Sequence, residues 1–333
     1  MASQGVNGPV AKLGGSPYLL APLAGARPGA PTWFADALAV RPERTSVPVD
    51  GCDIELLTWG DTSAPGLMFL HGNAAHADWW SFIAPFFAQE FRVAALSWSG
   101  MGRSGWRPNY DIGVYVEEIM QCADAAGLFS SSERPTLVGH SFGASPMLEC
   151  LAAHGDSFSL GIAVDKGVPL DDSRRNVQRR EWSSSRRLFP SLELGLARFR
   201  LSPPQLCDNL YLVDHIARRS LQLVHDAESG LDGWSWTFDP ALRGAMGMAH
   251  AYRTLDLIRS SRASLAFLYG ANSALVTEDM KAAMKTAARE GSYFETIAGA
   301  GHHVMLDQPL ALIDALRRCL GQMGVGTHQS LSS

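Results

Sequence analysis

Short apolar runs recur along this chain, each followed by a longer stretch of helical periodicity, and that alternation narrows the possible folds more than any other feature. RTSVPV (45–49 at its core), DIELLTW (53–59) and GLMFLHG (66–72) read as strands, separated by turn residues at Asp50-Gly51 and at 60–65. A helix is expected over about 79–89, then the strand FRVAALS, a helix over about 113–126, the strand PTLVGHS, a helix after Gly143 and the strand LGIAVDKGVP. For some 90 residues after Pro169 there is no apolar strand, only helical and loop-like sequence. Alternation resumes with ASLAFLYG, a helix near 277–289, the strand SYFETIA and a last helix over about 306–320. Strands that are apolar throughout and alternate with helices imply an α/β fold with a mostly parallel sheet covered on both faces. An insertion placed this late is expected to form a cap over the carboxyl ends of the strands, where open α/β sheets bind ligands.

The remaining bounds exclude several partners. The 333 residues, 46% hydrophobic and 18% charged, suffice for one large domain with an insertion. A net charge of −5 gives no basic face, so no nucleic acid is expected. The five cysteines are odd in number and lack CxxC spacing, which favours free thiols in a reducing compartment and offers no metal cluster. Gly and Pro interrupt every apolar run before residue 32, unlike a secretory signal, and no run approaches the roughly 18 to 20 apolar residues of a membrane span. A cytoplasmic protein with no membrane partner is expected. Residues 1–30 read as an extended N-terminal arm and 323–333 as a flexible tail.

In PTLVGHSFGAS a strand ends at Gly139-His140-Ser141-Phe142-Gly143 and a helix begins. This is G-x-S-x-G in its required setting: a sharp turn that lifts a serine hydroxyl off the sheet edge, with glycines where the backbone passes close by. A hydroxyl is a weak nucleophile until a base takes its proton. Of ten histidines, His302 sits in the Gly-rich loop after the last strand, and serine first with histidine last is the order of the nucleophile-elbow enzymes. His303 is its rival, read as a packing residue. An oxyanion needs donors fixed in advance. The backbone N–H of Phe142 is one candidate, and that of Asn73, in the His71-Gly72-Asn73 loop after the third strand, is the other.

HGN at 71–73, SGMGRSG at 99–105, GHSFG at 139–143 and GAGH at 299–302 stand in the order of the α/β-hydrolase superfamily, which the chain resembles over about 44–321. The resemblance implies an eight-stranded mostly parallel sheet, a cap inserted after strand six, a Ser–acid–His triad, no cofactor and no metal. It divides the chain into a core of 31–168 and 263–322 and a helical cap of 169–262. HGN followed by tryptophans also resembles the branch containing haloalkane dehalogenases and epoxide hydrolases. Those carry aspartate at the elbow, and Ser141 argues against halide displacement.

Members of the family commonly place the acid in a G-x-x-D pattern after strand seven. Aligned on Gly270, that position is Ser273, a neutral hydroxyl. Other members carry the acid at the end of strand six, where this chain has Asp165. The bland alternative is that Asp165 caps local backbone N–H groups. Glu278 and Asp279 are reserves at a helix start, and Asp307, which follows His302, is the weakest candidate.

The cap should select the substrate. Eight arginines (174, 175, 179, 180, 186, 187, 198 and 200) suit a carboxylate, yet fourteen arginines face eleven acids over 170–262, and a solvated face explains them as well. Trp79, Trp80, Trp234 and Trp236, with Trp98 and Trp106, are candidate walls of an apolar pocket, against the plainer reading of core packing. The reading is a serine hydrolase of a small-molecule carboxylic ester or lactone. Its alternatives are a C–C bond hydrolase of ring-fission dienoates and a non-catalytic binding protein.

Overall fold

Asp50 and Gly51, with φ of 45° and 73°, turn the chain tightly enough to pair β1 (Glu43–Val49) with β2 (Cys52–Trp59) antiparallel. β1 carries Pro48 and is largely exposed, as an edge strand permits. The computed structural model describes residues 17–170, 187–226, 230–242 and 253–326. The other strands of the main sheet are β3 (Gly66–Leu70), β4 (Arg92–Leu96), β5 (Thr136–His140), β6 (Leu160–Val164), β9 (Ser264–Gly270) and β10 (Tyr293–Ile297). Between β6 and β9 the chain forms a separate hairpin, β7 (Leu221–Asp226) with β8 (Leu231–Trp236). The eight strands run in the order β1-β2-β4-β3-β5-β6-β9-β10, parallel except where β2 meets β1 and β4.

Alternation along each strand feeds one apolar cluster per face. Phe69, Val138 and Ile162 point to one side, and Met68, Leu70, Leu137 and Ala163 to the other. The helices are α1 (Thr32–Ala39), α2 (Ile112–Ala125), α3 (Ala144–His154), α4 (Leu192–Leu196), α5 (Leu210–Arg219), α6 (Thr254–Ser260), α7 (Glu278–Ala287), α8 (Val304–Asp307) and α9 (Pro309–Gln322).

Four details depart from the sequence reading. The helix expected over 79–89 is two 3-10 turns, Ala77–Trp79 and Ala84–Phe86. Every residue from Trp79 to Ala84 is buried, so the segment has no solvent face, and Pro85 lacks a donor for a continuing helix. The insertion contains the β7–β8 hairpin besides its helices. Within it, α6 packs on α3 and α7, in the core layer and not in the cap. Of the arm expected over 1–30, the described residues 17–30 hold a 3-10 turn, bury Leu20 and accept a hydrogen bond from Arg218 Nη2 at the Gly25 carbonyl, 2.7 Å.

The insertion is seated on the core through α5. His215 Nε2 meets Ser81 Oγ at 2.9 Å, His76 Nε2 meets Ser220 Oγ at 3.1 Å, and Arg219 pairs with Asp78 at 3.2 Å. Asp78 also pairs with Arg44, which reaches Glu55 as well. These bonds hold one wall of the insertion above the carboxyl edge of the sheet.

Candidate active site

β5 ends at His140, and Ser141, the next residue, has φ +52°, a left-handed conformation that a side chain tolerates only under strain. The turn Ser141–Gly143 leads directly into α3. A Cβ on Gly143 would lie 2.5 Å from the Leu70 carbonyl oxygen, and one on Gly139 would lie 2.7 Å from Ala144 Cα. Both glycines of the motif are therefore imposed by close backbone approach, which presses the bend against the end of β3.

Asp165 follows β6 and shares the strain, with φ +48°. Its fully buried carboxylate accepts three hydrogen bonds: from Gly270 N–H to Oδ1 at 2.9 Å, and to Oδ2 from Ser273 Oγ at 2.6 Å and His302 Nδ1 at 2.7 Å. Ser273, the neutral residue at the G-x-x-D position, thus donates to the Asp165 carboxylate. Its own oxygen accepts from Leu275 N–H and Val276 N–H, both at 3.2 Å, which aims the hydroxyl proton at Asp165. Because Nδ1 of His302 donates to Asp165, its Nε2 carries the lone pair.

The reserves fall away on geometry. The Glu278 side chain is 87% exposed and pairs with Lys281, and Asp279 lies in the first turn of α7. Asp307 Oδ2 accepts from Gly301 N–H at 2.6 Å and Gln205 Nε2 at 2.7 Å, so it holds the loop that carries His302. His140 Nε2 donates to the His302 carbonyl at 3.0 Å, tying that loop to the residue before Ser141. Ser141 Oγ makes no hydrogen bond among the described residues, and such bonds often close only when substrate tightens the site.

The HGN loop runs over the bend. A Cβ on Gly72 would sit 3.0 Å from His140 Nδ1 and 3.5 Å from Ser141 Cβ. His71 anchors it: Nε2 accepts from Trp98 N–H at 3.1 Å, so Nδ1 carries the proton and donates to the Gly72 carbonyl at 2.7 Å. Burial lowers this imidazole to about 3, which keeps it neutral and the loop fixed. Asn73 is exposed beyond it, and Phe142 is half-buried, its ring 5.5 Å from Tyr115 and 6.3 Å from Trp98. Sequence reasoning missed Glu118. This buried carboxylate accepts from Ser99 N–H at 3.0 Å and pairs with Arg107 at 3.3 Å, tying the SGMGRSG loop to α2.

The tryptophans separate. Trp80 is fully buried and stacked on Phe69 at 4.8 Å, which makes it a core residue and not a pocket wall. Trp236 packs against Phe189 and Phe199 at 5.3 and 6.2 Å, and Trp234 pairs its backbone with Phe189, so both build the insertion itself. Trp79 alone of the four meets the histidine cluster, 5.5 Å from the His303 ring. Arginines 174, 175, 179, 180 and 186 lie outside the described residues. A surface cleft lined by Arg262, Ser264, Arg289 and Ser292 opens at the amino ends of β9 and β10, the opposite edge from this chemistry.

Ring nitrogens of His140, His302 and His303 lie within 4.8 Å of one another, the one group among the described residues compact enough to share a metal ion. Two of those rings are committed, His302 Nδ1 to Asp165 and His140 Nε2 to the His302 carbonyl. A metal there competes with the hydrogen bonds that assemble the site.

Lys166, next to Asp165, is buried with Ser145 Oγ as its hydrogen-bond partner at 2.8 Å, and desolvation pulls its ammonium down to about 8. Its folded value lies below the ordinary 10.5, so the unfolded chain binds the extra proton and the group destabilises the fold below pH 8. That penalty fades as the pH rises from 8 to 10.5. Lys166→Met is expected to be more stable than the parent at pH 7 by up to about 3 kcal/mol, with the difference shrinking toward pH 10. Urea unfolding of both proteins across that range checks the sign. A methionine variant less stable at pH 7 would show that the Ser145 contact outweighs desolvation.

The Alpha/beta hydrolase family model matches residues 67–315. Esterase Rv0045c of Mycobacterium tuberculosis is 25% identical over 271 residues, 80% of this chain and 86% of that protein. Lipase LipV of the same organism is 29% identical over 123 residues, 37% of this chain and 45% of its own length. The solved structure of the M. tuberculosis esterase Rv0045c superposes with a TM-score of 0.62 at 23% identity, covering 92% of this chain and 99% of that one. The thioesterase domain from the curacin biosynthetic pathway superposes with a TM-score of 0.67 at 21% identity, over 83% of this chain and 99% of that one. At such identities these structures speak for the fold. With the family match spanning most of its length and the eight-stranded sheet in place, the chain belongs to the alpha/beta hydrolase family.

Proposed function

We propose that the chain is a serine hydrolase of a carboxylic ester or lactone, working through an acyl-enzyme on Ser141. The observation that carries the reading is the buried Asp165–His302 hydrogen bond of 2.7 Å, formed by two distant segments beside a serine held at φ +52°. Ser141 Oγ attacks the acyl carbon while His302 Nε2 takes its proton. Asp165 fixes the imidazole tautomer and stabilises the imidazolium. The backbone N–H groups of Asn73 and Phe142 are assigned to the oxyanion, each worth roughly 3 to 4 kcal/mol in such sites. His302 returns the proton to the leaving alcohol, and water attacks the acyl-enzyme by the same path in reverse. The part of the insertion that precedes α6 serves as the cap, with α5 as its anchor. The esterase and lipase names of the mycobacterial relatives support the ester class.

All five cysteines are buried and unpaired, which suits a reducing, cytoplasmic setting. Among the described residues no helix is long and apolar enough to cross a membrane.

A p-nitrophenyl ester should give a burst of about one p-nitrophenolate per chain, with the acyl mass on the peptide containing Ser141. Ring-fission dienoates hydrolysed with higher kcat/KM than any ester or lactone would move the assignment to C–C cleavage. A folded protein with no burst and no turnover of either class would leave a binding role.

A further inference from the structure

His303 follows the proposed base, and its ring lies 4.9 Å from that of His302, 5.8 Å from that of His140 and 5.5 Å from the indole of Trp79. Its backbone is pinned from the insertion: the N–H donates to Gln205 Oε1 at 3.0 Å, and Gln205 is braced on Asp307. The side chain is almost wholly buried, yet neither ring nitrogen has a partner in hydrogen-bonding geometry, although the Pro203 carbonyl comes near. The indole Nε1 of Trp79 is buried and equally without a partner. A buried polar atom left unpaired costs about 1–3 kcal/mol, and folded proteins keep few of them. Two touching buried side chains, the indole donor unpaired and the imidazole with no partner better than the nearby Pro203 carbonyl, lie beside the proposed base.

Resting on the ester or lactone reading above, we infer that Trp79 and His303 form a substrate subsite that takes a neutral hydrogen-bonding group, a carbonyl or hydroxyl, close to the scissile ester. The donor inventory sets the class. Indole supplies one N–H and no acceptor, and a neutral imidazole supplies one donor and one acceptor. Burial and the neighbouring His302 lower His303 to about 3, so it offers no positive charge at neutral pH. A carboxylate in this position would be desolvated without a cation from either residue, which is costly. The subsite therefore favours a keto or hydroxy ester over an alkyl ester of the same shape, and both over an acid. It also explains a histidine next to the base, where a packing role alone calls for an apolar ring.

Three nearly isosteric p-nitrophenyl esters test this: the levulinate, with a ketone; the pentanoate, with a methylene; and the hemisuccinate, with a carboxylate. A second set carries the same three groups on the alcohol of acetate esters. In at least one set the parent should prefer ketone over alkyl by about tenfold in kcat/KM, roughly one net hydrogen bond, and disfavour the acid. His303→Phe and Trp79→Phe, checked for native melting, should bring the ketone-to-alkyl ratio to about one. His303→Gln, which keeps a donor and an acceptor, should retain most of it. Turnover of all esters with no ketone preference in either set overturns the subsite and leaves the hydrolase reading standing, whereas turnover of none defeats the hydrolase reading itself. A preference that survives both phenylalanine variants also overturns it.

Discussion

Ser141→Ala is expected to lose turnover by about 10⁶-fold, the scale seen when the nucleophile is removed from a serine hydrolase whose triad acts as a unit. Stability should hardly change. Ser141 is half-buried and its Oγ makes no hydrogen bond among the described residues, so the substitution leaves no orphaned partner and keeps the same Cβ at φ +52°. Ser141→Gly separates the two roles of the position further. Removing the Cβ relieves the left-handed strain, which costs roughly 1 to 2 kcal/mol for a residue with a side chain. The glycine variant should thus be the more stable and equally inactive, because it too lacks the hydroxyl. A fluorophosphonate should label the parent once per chain and neither variant. Retained turnover within tenfold of the parent in Ser141→Ala, or labelling at another residue, would remove Ser141 from the reaction.

Much of this arrangement is legible in the sequence because the strands carry strong signals. Five-residue runs such as GLMFL and LGIAV are apolar on both faces, and a position buried on both sides of a sheet leaves little freedom of assignment. The site residues at strand ends follow from those strands, since Ser141 and Asp165 stand directly after β5 and β6. What stayed hidden depends on contacts between distant segments. Trp80 looks like a pocket wall in sequence and is core, because the chain from 79 to 84 folds inward as a whole. The β7–β8 hairpin escaped notice because it is short and only three of its twelve strand residues are buried: Leu223 and Leu231 face outward, so no apolar run marks it. The parts of Gln205 and Asp307 in holding the His302 loop join residues about a hundred positions apart, and no local pattern carries that signal.

Ser273 is the sharpest case. In sequence it is a hydroxyl where a carboxylate is expected; in the structure that hydroxyl donates to Asp165. That geometry makes the effect of Asp165→Asn predictable in both size and remedy. Asparagine tolerates φ +48° and keeps an acceptor for Gly270 N–H, so the fold should survive. Its amide N–H₂, however, faces His302 Nδ1, forcing the ring proton onto Nε2, where it blocks the transfer from Ser141. Wrong tautomer and lost charge together cost about 10⁴ in kcat in the well-studied triad. Ser273→Asp should restore part of that loss, on the order of tenfold or more, because the Ser273 Oγ already lies 2.6 Å from the carboxylate oxygen that touches His302. In the parent background the same substitution sets two carboxylates against each other in a buried site, so it should lower both stability and rate. One substitution, harmful in the parent and beneficial in the Asp165→Asn background, is a signature that a merely structural aspartate cannot produce. Steady-state kinetics of the four proteins in the cycle decide it: near-parental rates in Asp165→Asn, or equal harm from Ser273→Asp in both backgrounds, would show that the base is oriented by some other group.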